Sequence, residues 1–127
     1  MNIGLRLLKI ASIYMLIGLI MGLAMGISGD FRLTSVHAHV LLLGWAAMAV
    51  SGIVYMLMPG CGGSLLARLH FWGHNLGLPV MMVSLALETY GHKAAEKAIA
   101  ASSILVLVSL VLFVINLFKH GRPEQLG

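Results

Sequence analysis

Four stretches of the chain, Ile10–Ser28, Val36–Met58, Leu69–Leu87 and Ala98–Phe118, contain no Asp, Glu, Lys or Arg. They run for 19, 23, 19 and 21 residues, and a helix needs roughly 20 apolar residues to cross a bilayer core. Four such spans nearly exhaust a chain of 127 residues. That leaves no room for a soluble domain, a nucleotide-binding fold or a site built on large loops. Only 9% of the residues are charged, against about 25% in soluble domains. The expected fold class is therefore an all-α integral membrane protein with four transmembrane helices, over about 5–28, 34–58, 66–88 and 95–119 of one domain covering 1–127.

Gly and Pro punctuate the breaks at Ser28–Arg32 and Met58–Ser64, and charge marks the break from Glu88 to Lys97. Connections this short predict an antiparallel, up-down bundle or arc. Arg6 and Lys9 precede the first apolar run, which exceeds the roughly 7–15 residues of a signal-peptide core, so it is read as a retained helix. Lys and Arg number five on the face bearing the termini (Arg6, Lys9, Arg68, Lys119, Arg122) and three on the other (Arg32, Lys93, Lys97). That bias predicts cytoplasmic termini in a cell inner (plasma) membrane protein. The formal net charge of +4 points to membrane lipids with anionic headgroups rather than to nucleic acid. A lone Cys61 in Pro-Gly-Cys-Gly-Gly excludes an internal disulfide and a cysteine metal cluster, and reads as a loop residue. Gly18, Gly22 and Gly26 on the first helix form a small-residue ladder suited to close helix packing; a seat for a flat cofactor is the other reading.

The chemistry concentrates in six histidines. An ionisable side chain inside a membrane is costly and is a candidate for function. His37 and His39 open the second helix and, at about 100° per residue, point about 200° apart. They cannot chelate one metal together, but each can offer an imidazole to a different neighbour. Gly44 and Ser51 follow His37 at seven-residue intervals and Ala46 follows His39, so a planar macrocycle could stand in a slot beside each ring. Axial imidazoles hold haem iron in this way; interfacial histidines bonded to loop carbonyls are the alternative. His70 and His74, four residues apart, share a helix face and could pair on a metal. No acidic residue lies near them, which favours a polar hydrogen-bonding patch with Asn75 for His74 and an interfacial position for His70. His92 and His120 read as solvated.

Ser35-Val36-His37-Ala38-His39-Val40-Leu41-Leu42-Leu43-Gly44, followed by Tyr55-Met56-Leu57-Met58-Pro59-Gly60, resembles the tenth helix of haem-copper oxidase subunit I. Ala67-Arg68-Leu69-His70-Phe71-Trp72-Gly73-His74-Asn75-Leu76-Gly77-Leu78-Pro79 resembles the next helix of that family, most of all its nitric-oxide-reductase-type branch. The likeness runs from Leu33 to Leu87. In the family the first histidine of the pair binds the active-site haem and the second the low-spin haem. The resemblance thus implies axial iron ligands at His37 and His39. The three further histidines of the family's copper site have no counterpart, so copper is not expected.

The family's twelve helices form three arcs of four, and this chain supplies one arc. The resemblance therefore implies a homotrimer with a bis-histidine haem b at each interface, His37 from one copy and His39 from the next. Arg32, five residues before His37, is the expected partner of the haem propionates, and Gly44 the expected wall of the slot. Such a cytochrome would transfer electrons to a redox partner rather than catalyse. Two alternatives are a haem-based gas sensor or oxidoreductase with an open iron site, and a cofactor-free accessory protein of oxidase assembly.

Overall fold

The computed structural model describes residues 2–122 and is all-α. Helix α1 spans Ile3–Ser28, α2 Thr34–Leu57, α3 Leu65–Thr89 and α4 Glu96–His120. A single helical turn, Pro59–Gly62, links α2 to α3, and a 3-10 turn, Lys93–Ala95, leads into α4. Each helix starts and stops for local reasons. The Asn2 side chain accepts the Leu5 N–H at 3.0 Å, and the Ser64 hydroxyl accepts the Ala67 N–H at 3.1 Å, satisfying donors that a helix start leaves unpaired. Gly29 ends α1 in the left-handed region at φ 71° and returns its N–H to Met25, a conformation that glycine adopts without penalty.

Three helical stretches, Ile3–Ser28, Thr34–Leu57 and Lys93–His120, are long and apolar enough to cross a membrane. The chain is thus a multi-pass membrane protein in which α3 differs from the other three. It is as long, at 25 residues, but His70, His74, Asn75 and Glu88 interrupt its apolar character. The polar side chains lie inside: His70, His74 and Asn116 are fully buried, while Ile20, Leu23, Ile27 and Phe118 are exposed. An apolar solvent outside produces this inversion.

α1 packs along α2 and α3 along α4, and the two hairpins join over a core that includes Leu7, Met48, Leu78 and Val106. Glycines permit the close approaches. A Cβ on Gly4 would meet the Gly52 carbonyl at 2.5 Å, and one on Gly77 would meet Val106 at 2.9 Å. On α1, Gly18 accommodates Leu41 and Gly22 accommodates the His37 ring, while Gly26 has open space beside it. The ladder thus serves packing within the chain at two of its three positions. A Cβ on Gly73 would collide with the Ser109 hydroxyl. Gly73→Ala is expected to destabilise the protein by about 1–3 kcal/mol, read as a lower thermal midpoint in detergent. Adding Ser109→Gly is expected to recover most of that loss.

One irregularity was not expected. Val40–Ala46 forms a π turn, in which the Ala47 N–H reaches back five residues to Leu42. Reverting from that spacing to the α pattern skips one carbonyl in the ladder, and Leu43 follows directly after Leu42. The alignment expected below His37 nonetheless holds at its first step, since His37 packs against Gly22 of α1 and Gly44 against Tyr14 of the same helix.

Candidate functional site

His37 and His39 lie in the regular helical segment before the π turn, and both are half-buried. His37 Nδ1 is 2.9 Å from the Gly18 carbonyl of α1, and His39 Nδ1 is 2.7 Å from the Ser35 carbonyl of its own helix. A carbonyl only accepts, so Nδ1 carries the proton in each ring and Nε2 keeps its lone pair. Among the described residues, neither Nε2 has a hydrogen-bond partner. A ring anchored through Nδ1–H and open at Nε2 is the arrangement found in metal-ligating histidines.

The two rings differ in setting. His37 is seated on α1, where a Cβ at Gly22 would stand 2.9 Å from its Cε1 atom. The slots expected beneath the pair are partly filled. Gly44 lies against Tyr14 of α1, at 2.6 Å from a Cβ built there, and Ser51 is buried with its hydroxyl donating to Ala47 at 2.8 Å. Gly44 is therefore a contact between α1 and α2, on the same face of α2 as His37. Ala46 remains exposed.

Arg32 is engaged already. Its guanidinium clasps Asp30 through Nε at 3.0 Å and Nη2 at 2.6 Å, and lies 4.7 Å above the Tyr90 ring. The Arg32 hydrogen bonds hold the Asp30 carboxyl down to about 2, so this exposed pair stays ionised at neutral pH. Beside it, Met21, Met25, Ser28, Asp30, Leu33 and Tyr90 line a cavity of about 280 Å³ at the end remote from the termini.

His70 and His74 are not a surface pair. His70 is fully buried rather than interfacial, because the hairpin turn places it opposite Tyr55. The Tyr55 hydroxyl is 2.8 Å from His70 Nδ1, His70 Nε2 is 3.1 Å from His74 Nδ1, and His74 Nε2 is 2.9 Å from the Leu43 carbonyl. The carbonyl end fixes every proton: His74 donates from Nε2, His70 donates from Nε2, and Tyr55 donates its hydroxyl. No imidazole lone pair in this row is left for a metal. Among the described residues no group of three or more His, Cys, Asp or Glu could hold a metal ion. Asn75 turns away, donating to the Phe71 carbonyl of its own helix at 2.8 Å.

Tyr55 and Leu43 were not expected in a site. Tyr55 lies four residues before the Pro59–Gly62 turn and His70 eight after it, so hairpin geometry offers only a weak signal for their pairing. The Leu43 carbonyl had none, since nothing in the local sequence marks the π turn. A second polar knot ties α4 to the Pro59–Gly62 turn: Asn116 donates to the Cys61 carbonyl at 3.0 Å and its Oδ1 lies 2.9 Å from His120 Nδ1. Cys61 is fully buried there rather than in a loop, and burial pushes its thiol up from the ordinary value. His92 is exposed, as expected.

Compared with protein-family models, curated proteins and solved structures, the chain matches none.

Proposed function

We propose that this protein is a membrane cytochrome that holds haem b between two imidazoles, His37 of one copy and His39 of the next, in a homotrimer. The observation that carries this reading is the shared state of the pair. Both rings commit Nδ1–H to a backbone carbonyl and leave Nε2 unpaired. Buried or half-buried polar atoms ordinarily find partners, so two open lone pairs on one helix turn point to a ligand. The donor chemistry fits haem iron, for which neutral imidazole is a standard axial ligand. Held by His37 and His39 together, such a haem would supply one-electron transfer.

The chain's own residues do the positioning. Gly18 and Ser35 carbonyls orient the two rings, and Gly22 gives the His37 ring room that a side chain would fill. Arg32 is the nearest cation to the pair in sequence, and a role toward propionates would require it to share or release Asp30. In this reading α3 is the fourth span. Its 25 residues extend about 37 Å at 1.5 Å per residue, and its histidines are satisfied internally, as a bilayer requires. The Lys/Arg bias sets both termini in the cytoplasm.

A second reading keeps His39 as the sole ligand, with an open iron position for gas sensing or catalysis. The closer confinement of the His37 ring against α1 favours it. Native mass spectrometry of the detergent-solubilised protein separates the readings from each other and from a haem-free accessory role. Three chains carrying three haems are expected. A haem-bearing monomer or dimer would defeat the shared-interface site, and a protein without haem would defeat both haem readings.

A further inference from the structure

The buried row Tyr55–His70–His74 is not used by the haem reading, and its geometry has a consequence independent of any cofactor. Each of the three side chains can both give and take a proton, and the three hydrogen bonds of 2.8, 3.1 and 2.9 Å form an unbroken line from Tyr55 to the Leu43 carbonyl. At its other end Tyr55 lines a surface cleft of about 320 Å³ with Asn2, Gly4, Pro59, Gly62 and Gly63, on the face that bears the termini. The Tyr55 hydroxyl itself points inward to His70, and the π-turn carbonyl closes the far end of the row.

We infer that Tyr55, His70 and His74 form a proton relay that takes one proton from the cleft and stores it on His74. A hydronium proton bonds to the Tyr55 oxygen while the original phenol proton passes to His70 Nδ1. His70 then releases its Nε2 proton to His74 Nδ1. No electron moves, and the net result is one positive charge on His74. All three hydrogen bonds survive the shift. His70 Nδ1–H now donates to Tyr55, His74 Nδ1–H donates to His70 Nε2, and His74 Nε2–H stays on Leu43. The relocated Tyr55 O–H alone must find a new acceptor, because His70 Nδ1 now donates to it and a buried unsatisfied polar group is costly.

Phe113 of α4 packs on both Tyr55 and His70, sealing the row from lipid. Facing it are Cys61 from the turn, Asn116 with His120 from α4, and Arg6 from α1, whose guanidinium lies 4.9 Å above the Phe71 ring. Tyr14 of α1 stands against Gly44, beside Leu43. The described acids Asp30, Glu88 and Glu96 belong to the opposite end of the bundle.

The test is an acid titration of the full chain, labelled with nitrogen-15 histidine, in detergent micelles. Nitrogen shifts distinguish each tautomer from the doubly protonated ring. His74 is expected to gain its second proton at the same midpoint at which the His70 proton moves from Nε2 to Nδ1. Tyr55→Phe, which removes the oxygen that accepts the relocated proton, is expected to abolish the His70 change. His74→Gln retains a donor for Leu43 but no storage site, and is expected to lock the His70 tautomer. The relay is overturned if His70 itself becomes doubly protonated, if the two rings change at separate midpoints, or if the His70 change persists in either variant. It is equally overturned if neither ring changes before the protein unfolds, since a row that never loads stores nothing.

Discussion

His37→Ala and His39→Ala are each expected to strip the purified protein of nearly all its haem. In a closed ring with one His37 and one His39 at every interface, either substitution removes a ligand from every site at once. Loss of a partner that merely orients a metal ligand costs about 10–100-fold in affinity, and loss of the ligand itself is expected to exceed that. Haem content per chain, measured on protein expressed with ample haem, reads the effect directly. The fold should survive, because both rings are half-buried and each makes one hydrogen bond to a carbonyl through its Nδ1. If one substitution empties the protein and the other leaves haem content and spectrum unchanged, iron is not shared between the two histidines. That outcome would favour the open-site reading.

The second large effect concerns stability rather than haem. His74→Leu is expected to destabilise the bundle, because it strands the His70 Nε2–H and the Leu43 carbonyl, both now paired through the His74 ring. Each stranded group costs about 1–3 kcal/mol, in a setting where no water replaces the lost partner. The leucine side chain matches the apolar surroundings and offsets part of that cost. His74→Gln, whose amide can still donate to Leu43 and accept from His70, is expected to lie much closer to the parent protein. Thermal midpoints in one detergent provide the comparison. The haem spectrum of either variant should match the parent, since His74 has no lone pair free in the row. A strong loss of haem in His74→Gln would show that the ligands were assigned to the wrong histidines.

Much of the fold is readable from the chain because a membrane limits the choices. Charge-free runs of known length, with Gly-Pro and charged breaks, place all four long helices within two residues of their ends. The Gly-rich faces announce close packing, and Gly18, Gly22 and Gly73 do meet neighbours. The difference between α3 and the other helices is also visible in its polar residues, although their destination is not. His70 next to Arg68 looks interfacial in sequence, yet it is carried inward by a contact with Tyr55 fifteen residues away. That contact depends on how two helices fold back on each other.

The π turn was hidden for a different reason. Val-Leu-Leu-Leu-Gly-Trp-Ala is an unremarkable apolar helix by composition, and a wider turn there depends on what can use the freed carbonyl. The user is His74, thirty-one positions further along. Periodicity that assumes a uniform 3.6 residues per turn therefore gives no sign of which carbonyl is left free. The slot at Gly44 is lost for a separate reason, because Tyr14 of α1, thirty positions earlier, fills it.

The central claim is that the two Nε2 lone pairs of His37 and His39 serve haem iron. The absorption spectrum of the protein, purified in mild detergent from haem-sufficient cells and then reduced, tests it most directly. Sharp α and β bands with little response to carbon monoxide are predicted for iron held by both imidazoles. A marked Soret shift with carbon monoxide would contradict double ligation, and a colourless protein would contradict haem binding altogether.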